Sequence, residues 1–503
     1  MNRQISTVAL ATLVMLAALI VATTYWQTWA APGLAARQDN AIQRVAQFEV
    51  RRGFIYASDG KTILARNVRE KSGGQTLYFR TYPTNGFASQ VIGYSTQSRA
   101  RAGLEESEND YLTGSNKDLG TFIDTLGDKL QGTTVQGNSL VLTLNVKAQK
   151  VAESELAGKC GAAVVWNPTT GAVLAMASSP TYNPNLVEKP NGYQQILSAK
   201  SKACADASPL LNRATQGLYP PGSTFKTITA AAALDDGVYT PTSTFYDPGY
   251  CTEYGKQVYN ADDQSGGHEA FGNVTLAEAY QHSINAVFCN IGQKLTSARL
   301  LNEAKKFGFY TVPPLETPSD ARSASGLYKG SKLYDPKDPD RFVDPGRTAF
   351  GQGQMLVTPL QMAMVAGAVA NGGVMMKPYV VKKVVSPSGS VVARTKSHVL
   401  RTPITPKTAA ALNQMMVSVV TGGTGTEAQI PGVTVAGKTG TAETNKPGVY
   451  DAWFIFFAPA EHPTVAGAVV VQDVPGGFGG AISAPIAKAL MQAILPTTSN
   501  TNP

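Results

Sequence analysis

The sequence predicts an α+β multidomain protein. It has an N-terminal transmembrane helix, a small mixed pedestal domain, and a larger domain whose mostly antiparallel sheet is packed by helices. Three observations carry this expectation. From Ile5 to Thr24 the chain holds no charged residue. From about Glu49 to Gly137 it is rich in Gly, Ser, Thr and Asn, with only short apolar runs. From Ser139 onward, strand-like runs stand at both ends of a long segment whose middle carries helical patterns.

The apolar run Ile5–Thr24 is as long as a bilayer core is thick, about 30 Å of helix. Tyr25, Trp26 and Trp29 follow it at once, as an interfacial aromatic belt does. A cleaved signal peptide is the competing reading. The long apolar run and the large aromatics, standing where a small-residue cleavage site belongs, argue for an uncleaved anchor over residues 5–25, with 1–4 cytoplasmic. Arg3 favours a cytoplasmic start, but Arg37 and Arg44 just beyond the span nearly balance it, so charge alone leaves the orientation open.

Residues 26–48 read as a juxtamembrane linker with a short polar helix from Ala35 to Ala46. Arg51-Arg-Gly-Phe-Ile-Tyr, with Asp59-Gly60 as a tight turn, reads as a strand and hairpin opening a pedestal over 49–138. The larger domain covers 139–495. Ala162–Ala177 reads as two apolar strands around an Asn167-Pro-Thr-Thr-Gly171 turn. Helical patterns fill Thr224 to about Gly308 and Pro359–Ala370. Strand runs follow at Val433–Ala436, Ala452–Ala458 and Thr464–Gln472, then a closing helix at about Ala484–Leu495 and a disordered polar tail over 496–503.

Composition narrows the function. With 43% hydrophobic and 16% charged residues, the 503-residue chain is globular rather than disordered. The net charge of +8 is scattered, with no basic run of five or six, which disfavours nucleic acid as a partner. His268, His282, His398 and His462 show no paired spacing, and Cys160, Cys204, Cys251 and Cys289 make no Cys-x-x-Cys, so no metal site is expected. Outside the cytoplasm the four cysteines allow up to two disulfides. Cys251 and Cys289 flank one of the motifs below and form a candidate pair, with buried free thiols as the alternative.

Three motifs carry chemistry. Tyr219-Pro-Pro-Gly-Ser223-Thr-Phe-Lys226 is a turn opening an apolar helix, with Ser223 at its start and Lys226 one turn on, on the same face. Such a serine is often only a helix cap. Capping does not account for Lys226. A serine hydroxyl needs an adjacent base, and a lysine serves only when neutral. That requires its pKa to fall from about 10.4 to about 7, a cost of roughly 4 kcal/mol that burial and a second cation, with Lys438 the candidate, can supply.

Gln281-His-Ser283-Ile-Asn285 falls in a helical stretch or the loop opening it. Ser283 can relay a proton between Lys226 and the leaving or entering amine, and Asn285 can hold a substrate amide; ordinary capping is the bland alternative. Gly437-Lys438-Thr439-Gly440-Thr441 lets a peptide pair as an added strand, its carboxylate met by Lys438 and the threonine hydroxyls. Backbone N–H groups of Ser223 and Thr441 can form an oxyanion hole, at about 3 kcal/mol per donor.

Short patterns recur by chance: Ser58-Asp-Gly-Lys61 imitates the first motif and Ser107-Glu-Asn109 the second. Gly432-Val-Thr-Val-Ala-Gly437-Lys438-Thr439 also matches a phosphate-loop pattern. Its β-branched interior and the absence of a following apolar helix argue against nucleotide binding.

The ordered triple resembles the class B penicillin-binding proteins, the peptidoglycan D,D-transpeptidases. The likeness extends to Arg52-Gly-Phe-Ile-Tyr, Ile92-Gly-Tyr94, Gly103-Leu-Glu105, Gly351-Gln-Gly, Val357-Thr-Pro-Leu-Gln and Asp451-Ala-Trp-Phe, and so to nearly all of Glu49–Leu495. The short pedestal is similar to that of small actinobacterial-type members. The resemblance implies a dimerisation-like pedestal and a serine β-lactamase/transpeptidase-like catalytic domain, and it names Ser223, Lys226 and Ser283 as catalytic. It implies that Asn285, Lys438, Thr439, Gly440 and Thr441 bind substrate. Ser223 is expected to take the acyl group of a D-Ala-D-Ala stem pentapeptide, release D-Ala and pass the peptide to an acceptor amine, while β-lactams acylate it stably. No cofactor is expected. The family further implies a single-pass protein of the cell membrane, catalytic domain outside, beside a polytopic glycan polymerase. A D,D-carboxypeptidase remains open, because water and an acceptor amine differ only in the last step. A β-lactamase lacks a recognisable acidic base here, a sensor usually adds membrane helices, and a silent scaffold need not keep all three motifs.

Overall fold

The computed structural model describes residues 2–30, 48–72, 75–96, 101–115, 134–261 and 269–496. The expected helix at Ala35–Ala46 and the tail beyond Pro496 lie outside the described residues. Helix α1 (Asn2–Thr24) continues in a wider turn through Ala30, and its apolar span Gln4–Gln27 is not buried against any of the described residues. It is the one helix among the described residues long and apolar enough to cross a membrane.

The pedestal is built on a six-stranded sheet. Strand β1 (Ile55–Tyr56) leads through the Asp59 turn, where the Asp59 carboxylate accepts from the amides of Lys61 and Thr62, into β2 (Ile63–Ser72) and β3 (Gln75–Thr81). Ser139–Leu142 forms β4, expected to open the larger domain but paired parallel to β1. Beyond it lie β7 (Val381–Val385) and β8 (Val391–Arg394), giving the order β8-β7-β4-β1-β2-β3. The sheet therefore joins chain segments from both sides of the expected boundary. The strand and hairpin around Asp59 and the apolar run at Ser139 are expected from the sequence, but Gln75–Thr81, Val381–Val385 and Val391–Arg394 went unpredicted, and strand partners are long-range facts that local pattern does not encode.

The larger domain centres on a five-stranded antiparallel sheet in the order β9-β10-β11-β5-β6, with β5 Gly161–Trp166, β6 Val173–Ser179, β9 Ala436–Glu443, β10 Val449–Ala458 and β11 Val465–Pro475. Its β5 and β6 meet at the expected turn, where Asn167 Oδ1 accepts from the amides of Thr169 and Thr170. Alternation divides the central strands between two cores. Val164, Trp166, Trp453 and Ile455 face one side with the helix α6 (Pro359–Ala370), apolar but for the buried Gln361. Val165, Phe454, Phe456 and Val469 face the other, against helices α2 (Val146–Leu156) and α8 (Gly479–Ile494).

Three expected boundaries move. The strand leading into the Lys438 motif is the motif itself, since β9 begins at Ala436 and Val433 only bridges Ile430. Helix α8 starts at Gly479 rather than near Ala484. Within the span expected to be helical, Thr244–Asp247 pairs with Gly272–Thr275, and Tyr250–Glu253 pairs with Lys256–Tyr259. Aromatic and β-branched residues around Gly249 and Gly255 favour ribbons over helix there. The helices that do form in that span include α3 (Lys226–Asp235), α4 (Leu276–Gln281), α5 (Asn285–Leu295) and a helix over Ser297–Lys306, with α7 (Pro406–Gly422) later.

Candidate active site

Ser223 stands on a single tight turn, Gly222–Phe225, that runs directly into α3. Gly222 has φ +51°, and a Cβ there would sit 2.9 Å from the Thr441 backbone, so only glycine lets the turn lie against β9. The turn is braced by Gly222 N–H to Gly351 O at 3.0 Å, Trp453 Nε1 to Pro220 O at 2.9 Å and Thr224 Oγ1 to Pro221 O at 2.7 Å. Neither the turn nor α3 carries a side-chain cap, so Ser223 is not spent on capping. It is partly exposed, at the mouth of a cavity of about 730 Å³.

Lys226 is fully buried. Its Nζ donates to Ser283 O at 2.5 Å and Asn285 Oδ1 at 2.8 Å, and lies 3.3 Å from Ser283 Oγ. Burial, and then the nearby Lys438, hold its pKa well below the usual lysine value. A neutral amine has two N–H bonds and one lone pair. The two carbonyl oxygens take both N–H bonds, which leaves the lone pair for a hydroxyl.

Ser283 lies between α4 and α5, in the turn rather than in a helix, with φ +61°. A left-handed conformation costs a non-glycine residue about 1–2 kcal/mol. It aims both the carbonyl and the hydroxyl of Ser283 at Lys226. Asn285 opens α5. Its Nδ2 donates to Tyr259 O at 3.2 Å while its Oδ1 holds Lys226, so it links the lysine to the Tyr250–Tyr259 hairpin. Next to it, Ala286 N–H donates to Asn260 Oδ1.

Strand β9 is the free edge of the five-stranded sheet, paired with β10 from Ala436 opposite Phe457 to Glu443 opposite Tyr450. Lys438 is fully buried, its Nζ donating to Thr439 O at 3.2 Å and lying 5.4 Å from the Tyr280 ring centre. Burial pushes its pKa down to about 7. The second cation expected beside Lys226 is thus present but only partly charged at neutral pH, and burial is the larger cause of the Lys226 shift. Thr439 Oγ1 shares a 2.6 Å hydrogen bond with Thr424 Oγ1, and Thr441 Oγ1 accepts from Gly479 N–H. Gly440 is packed, since a Cβ there would come within 3 Å of Thr224, Pro221 and Trp453.

The cavity gathers Ser223, Ser283, Asn285, Thr439 and Thr441 on its walls. Lys226 and Lys438 lie buried behind them. The decoys go elsewhere: Ser58 to Lys61 is the pedestal turn before β2, and Ser107 to Asn109 links two short pedestal helices. Gly432–Thr439 runs into an edge strand rather than bending into a helix, so its amides do not form a phosphate cradle.

Both disulfides form: Cys251–Cys289 and Cys160–Cys204. The first ties the Tyr250–Tyr259 hairpin to α5, completing the proposed pair, and it replaces the free-thiol alternative. The sequence reading missed the rest of the cavity wall, including Gln257, Tyr259, Arg347, Glu427, Glu443 and Tyr450. The signal for two of these was the Tyr-Cys-Thr-Glu-Tyr-Gly-Lys-Gln-Val-Tyr hairpin.

Comparison with known proteins matches this geometry. Residues 161–492 fit the family described as the penicillin binding protein transpeptidase domain, and residues 52–140 fit the penicillin binding protein A dimerisation domain. The chain belongs to the penicillin-binding protein transpeptidases, in their class B. It is 34% identical to the peptidoglycan D,D-transpeptidase PbpA of Mycolicibacterium smegmatis, over 98% of this chain and 99% of that protein. It is 30% identical to stage V sporulation protein D of Bacillus subtilis, over 83% of this chain and 64% of that protein. Among solved structures, the ceftriaxone acyl-enzyme complex of penicillin-binding protein A from M. tuberculosis superposes with a TM-score of 0.79 at 32% identity. The match covers 90% of this chain and all of that one.

Proposed function

We propose that this protein is a peptidoglycan D,D-transpeptidase that cross-links stem peptides through a Ser223 acyl-enzyme. The observation that carries the reading is Lys226: a buried lysine, one turn from Ser223, whose Nζ is held between Ser283 and Asn285. The neutral Lys226 amine takes the Ser223 proton as Oγ bonds to the penultimate D-Ala carbonyl carbon. The oxyanion lies between the N–H groups of Ser223 and Thr441. The amide C–N bond then breaks, and D-Ala leaves as an amine with a proton passed through Ser283. The acceptor amine attacks the ester, and its proton returns to Ser223 Oγ by the same route.

Lys438, Thr439 and the Thr441 hydroxyl meet the terminal carboxylate, Gly440 keeps the strand close to Ser223, and Asn285 orients the donor amide. A β-lactam enters the same hole and leaves Ser223 acylated. In this reading residues 49–138 are the pedestal and 139–495 the catalytic domain, held outside the cell membrane by a single-pass anchor over 5–25. A polytopic glycan polymerase supplies the strands.

Labelling with a fluorescent penicillin tests the nucleophile: label is expected on wild type and absent from Ser223→Ala, and label surviving in the variant refutes the assignment. Incubation with pentapeptide and an acceptor amine tests the reaction. Cross-linked product is expected; D-Ala release without cross-links makes the protein a carboxypeptidase.

A further inference from the structure

Beyond the reacting groups, the far end of β9 carries a second recognition element. Thr439, Thr441 and Glu443 alternate along the strand and all face the cavity. Glu443 stands two residues past the oxyanion donor, about 7 Å further along an extended chain. Its cross-strand partner is Tyr450, which also lines the cavity, and Tyr450 stacks on the half-exposed Phe478 ring at 6.2 Å and 20°. Among the described residues no cation is paired with Glu443, and the nearby Lys446 is engaged with Asp473 at 3.5 Å. A carboxylate beside a stacked aromatic pair suits an organic ammonium, through charge and through the faces of the rings.

The direction of the donor follows from the proposed function, on which this inference rests. With its terminal carboxylate at Lys438 and Thr439 and its reacting carbonyl at Thr441, a peptide added to β9 runs antiparallel to it. Its third residue, counted from the stem's attached end, then lies toward Glu443. Donor and acceptor stems are the same molecule. If the acceptor reacts through a side-chain amine on that residue, the donor carries the same amine unreacted, and the cleft must seat it. We infer that Glu443, with the Tyr450–Phe478 pair, is a specificity-determining site for the free side-chain ammonium of the donor stem's third residue.

The test compares acylation of the full-length protein by two donors, Nα-acetyl-Lys-D-Ala-D-Ala and its Nε-acetylated form, read as D-Ala release. Wild type is expected to favour the free amine by about five- to tenfold. Glu443→Gln brings the ratio to about one. Glu443→Lys reverses it, favouring the Nε-acetylated donor. A wild-type ratio near one overturns the inference, whatever the variants do. A free-amine preference that survives in both variants overturns it as well. Wild type labelled by penicillin at Ser223 yet indifferent to the amine refutes this inference alone, whereas wild type that penicillin does not label refutes the proposed function beneath it.

Discussion

Two of the molecule's clusters of buried ionisable groups are treated in opposite ways. In the pedestal, Glu105 is fully buried between Arg52 and Arg80, at 2.9 Å and 2.5 Å, with Asn109 and the Glu105 carbonyl taking further Arg52 donors. Burial alone would raise the Glu105 pKa, but Arg80 and Arg52 hold it below the usual carboxylate value. In the cleft, Lys226 and Lys438 are equally buried, and neither has an acid in contact among the described residues. Burial then acts unopposed and drives both toward the neutral amine. Paired, a buried charge fixes a structure; unpaired, it gives up its proton and becomes a reagent.

The largest expected effect tests the unpaired side. Lys226→Met keeps the volume but removes the base, and penicillin acylation is expected to slow by about 10²- to 10⁴-fold in stopped-flow measurements. A loss under tenfold would mean that Lys226 is only a packed side chain. On the paired side, Glu105→Gln leaves two guanidinium groups facing each other. It should cost about 3–5 kcal/mol of stability in denaturant titrations, with the acylation rate of the folded protein unchanged. The Glu105 contribution is also expected to vanish in acid. Its folded pKa is depressed, so the stabilisation is present above the unfolded value of 4.5 and is lost as pH falls through the folded one.

The hairpin that holds Asn285 gives an intermediate effect. Replacing Cys289 by Ser opens a loop with a sequence separation of 38. It is expected to cost about 2–4 kcal/mol in thermal unfolding and to slow acylation as Tyr259 releases Asn285.

Lys438 sharpens the contrast through pH. Its folded pKa of about 7 lies below the ordinary 10.5, so the unfolded state binds the extra proton and stability rises with pH between the two values. Its charge, and with it the grip on a carboxylate, fades above about 7. The acylation profile should show an alkaline limb there, which Lys438→Arg removes because arginine stays charged. The smallest effect belongs to Thr424→Val. Removing the 2.6 Å partner of Thr439 should weaken penicillin recognition by about 1 kcal/mol, seen as a roughly fivefold rise in the concentration for half-maximal acylation rate.

Much of this was legible in the chain because the motifs carry their local structure with them. Pro220-Pro-Gly222 announces a turn, the alanines after Lys226 announce a helix, and Phe454 to Phe457 announce a buried strand. The run at Pro359–Ala370, apolar but for Gln361, reads as a buried helix. What stayed hidden depends on distance along the chain. Nothing local to Ser139–Leu142 says that its neighbours are Ile55 and Val381. Nothing in Glu427 or Glu443 says that they face the cavity holding Ser223, since exposed glutamates are common and only the register of β9 aims one of these inward. The Tyr250–Tyr259 ribbon was overlooked because short two-stranded ribbons leave a weak pattern amid helices.

The shared six-stranded sheet has a practical consequence. Strand β7 pairs with β4 from Val381 opposite Leu142 to Val385 opposite Ser139. A truncated enzyme beginning at Gly161, where the match to the transpeptidase domain starts, would therefore carry β7 with a bare row of amides and carbonyls toward solvent. Such an edge recruits strands from other molecules. Truncation there should yield aggregates or strand-swapped dimers, and a soluble form should require the chain to begin no later than the strand at Ile55.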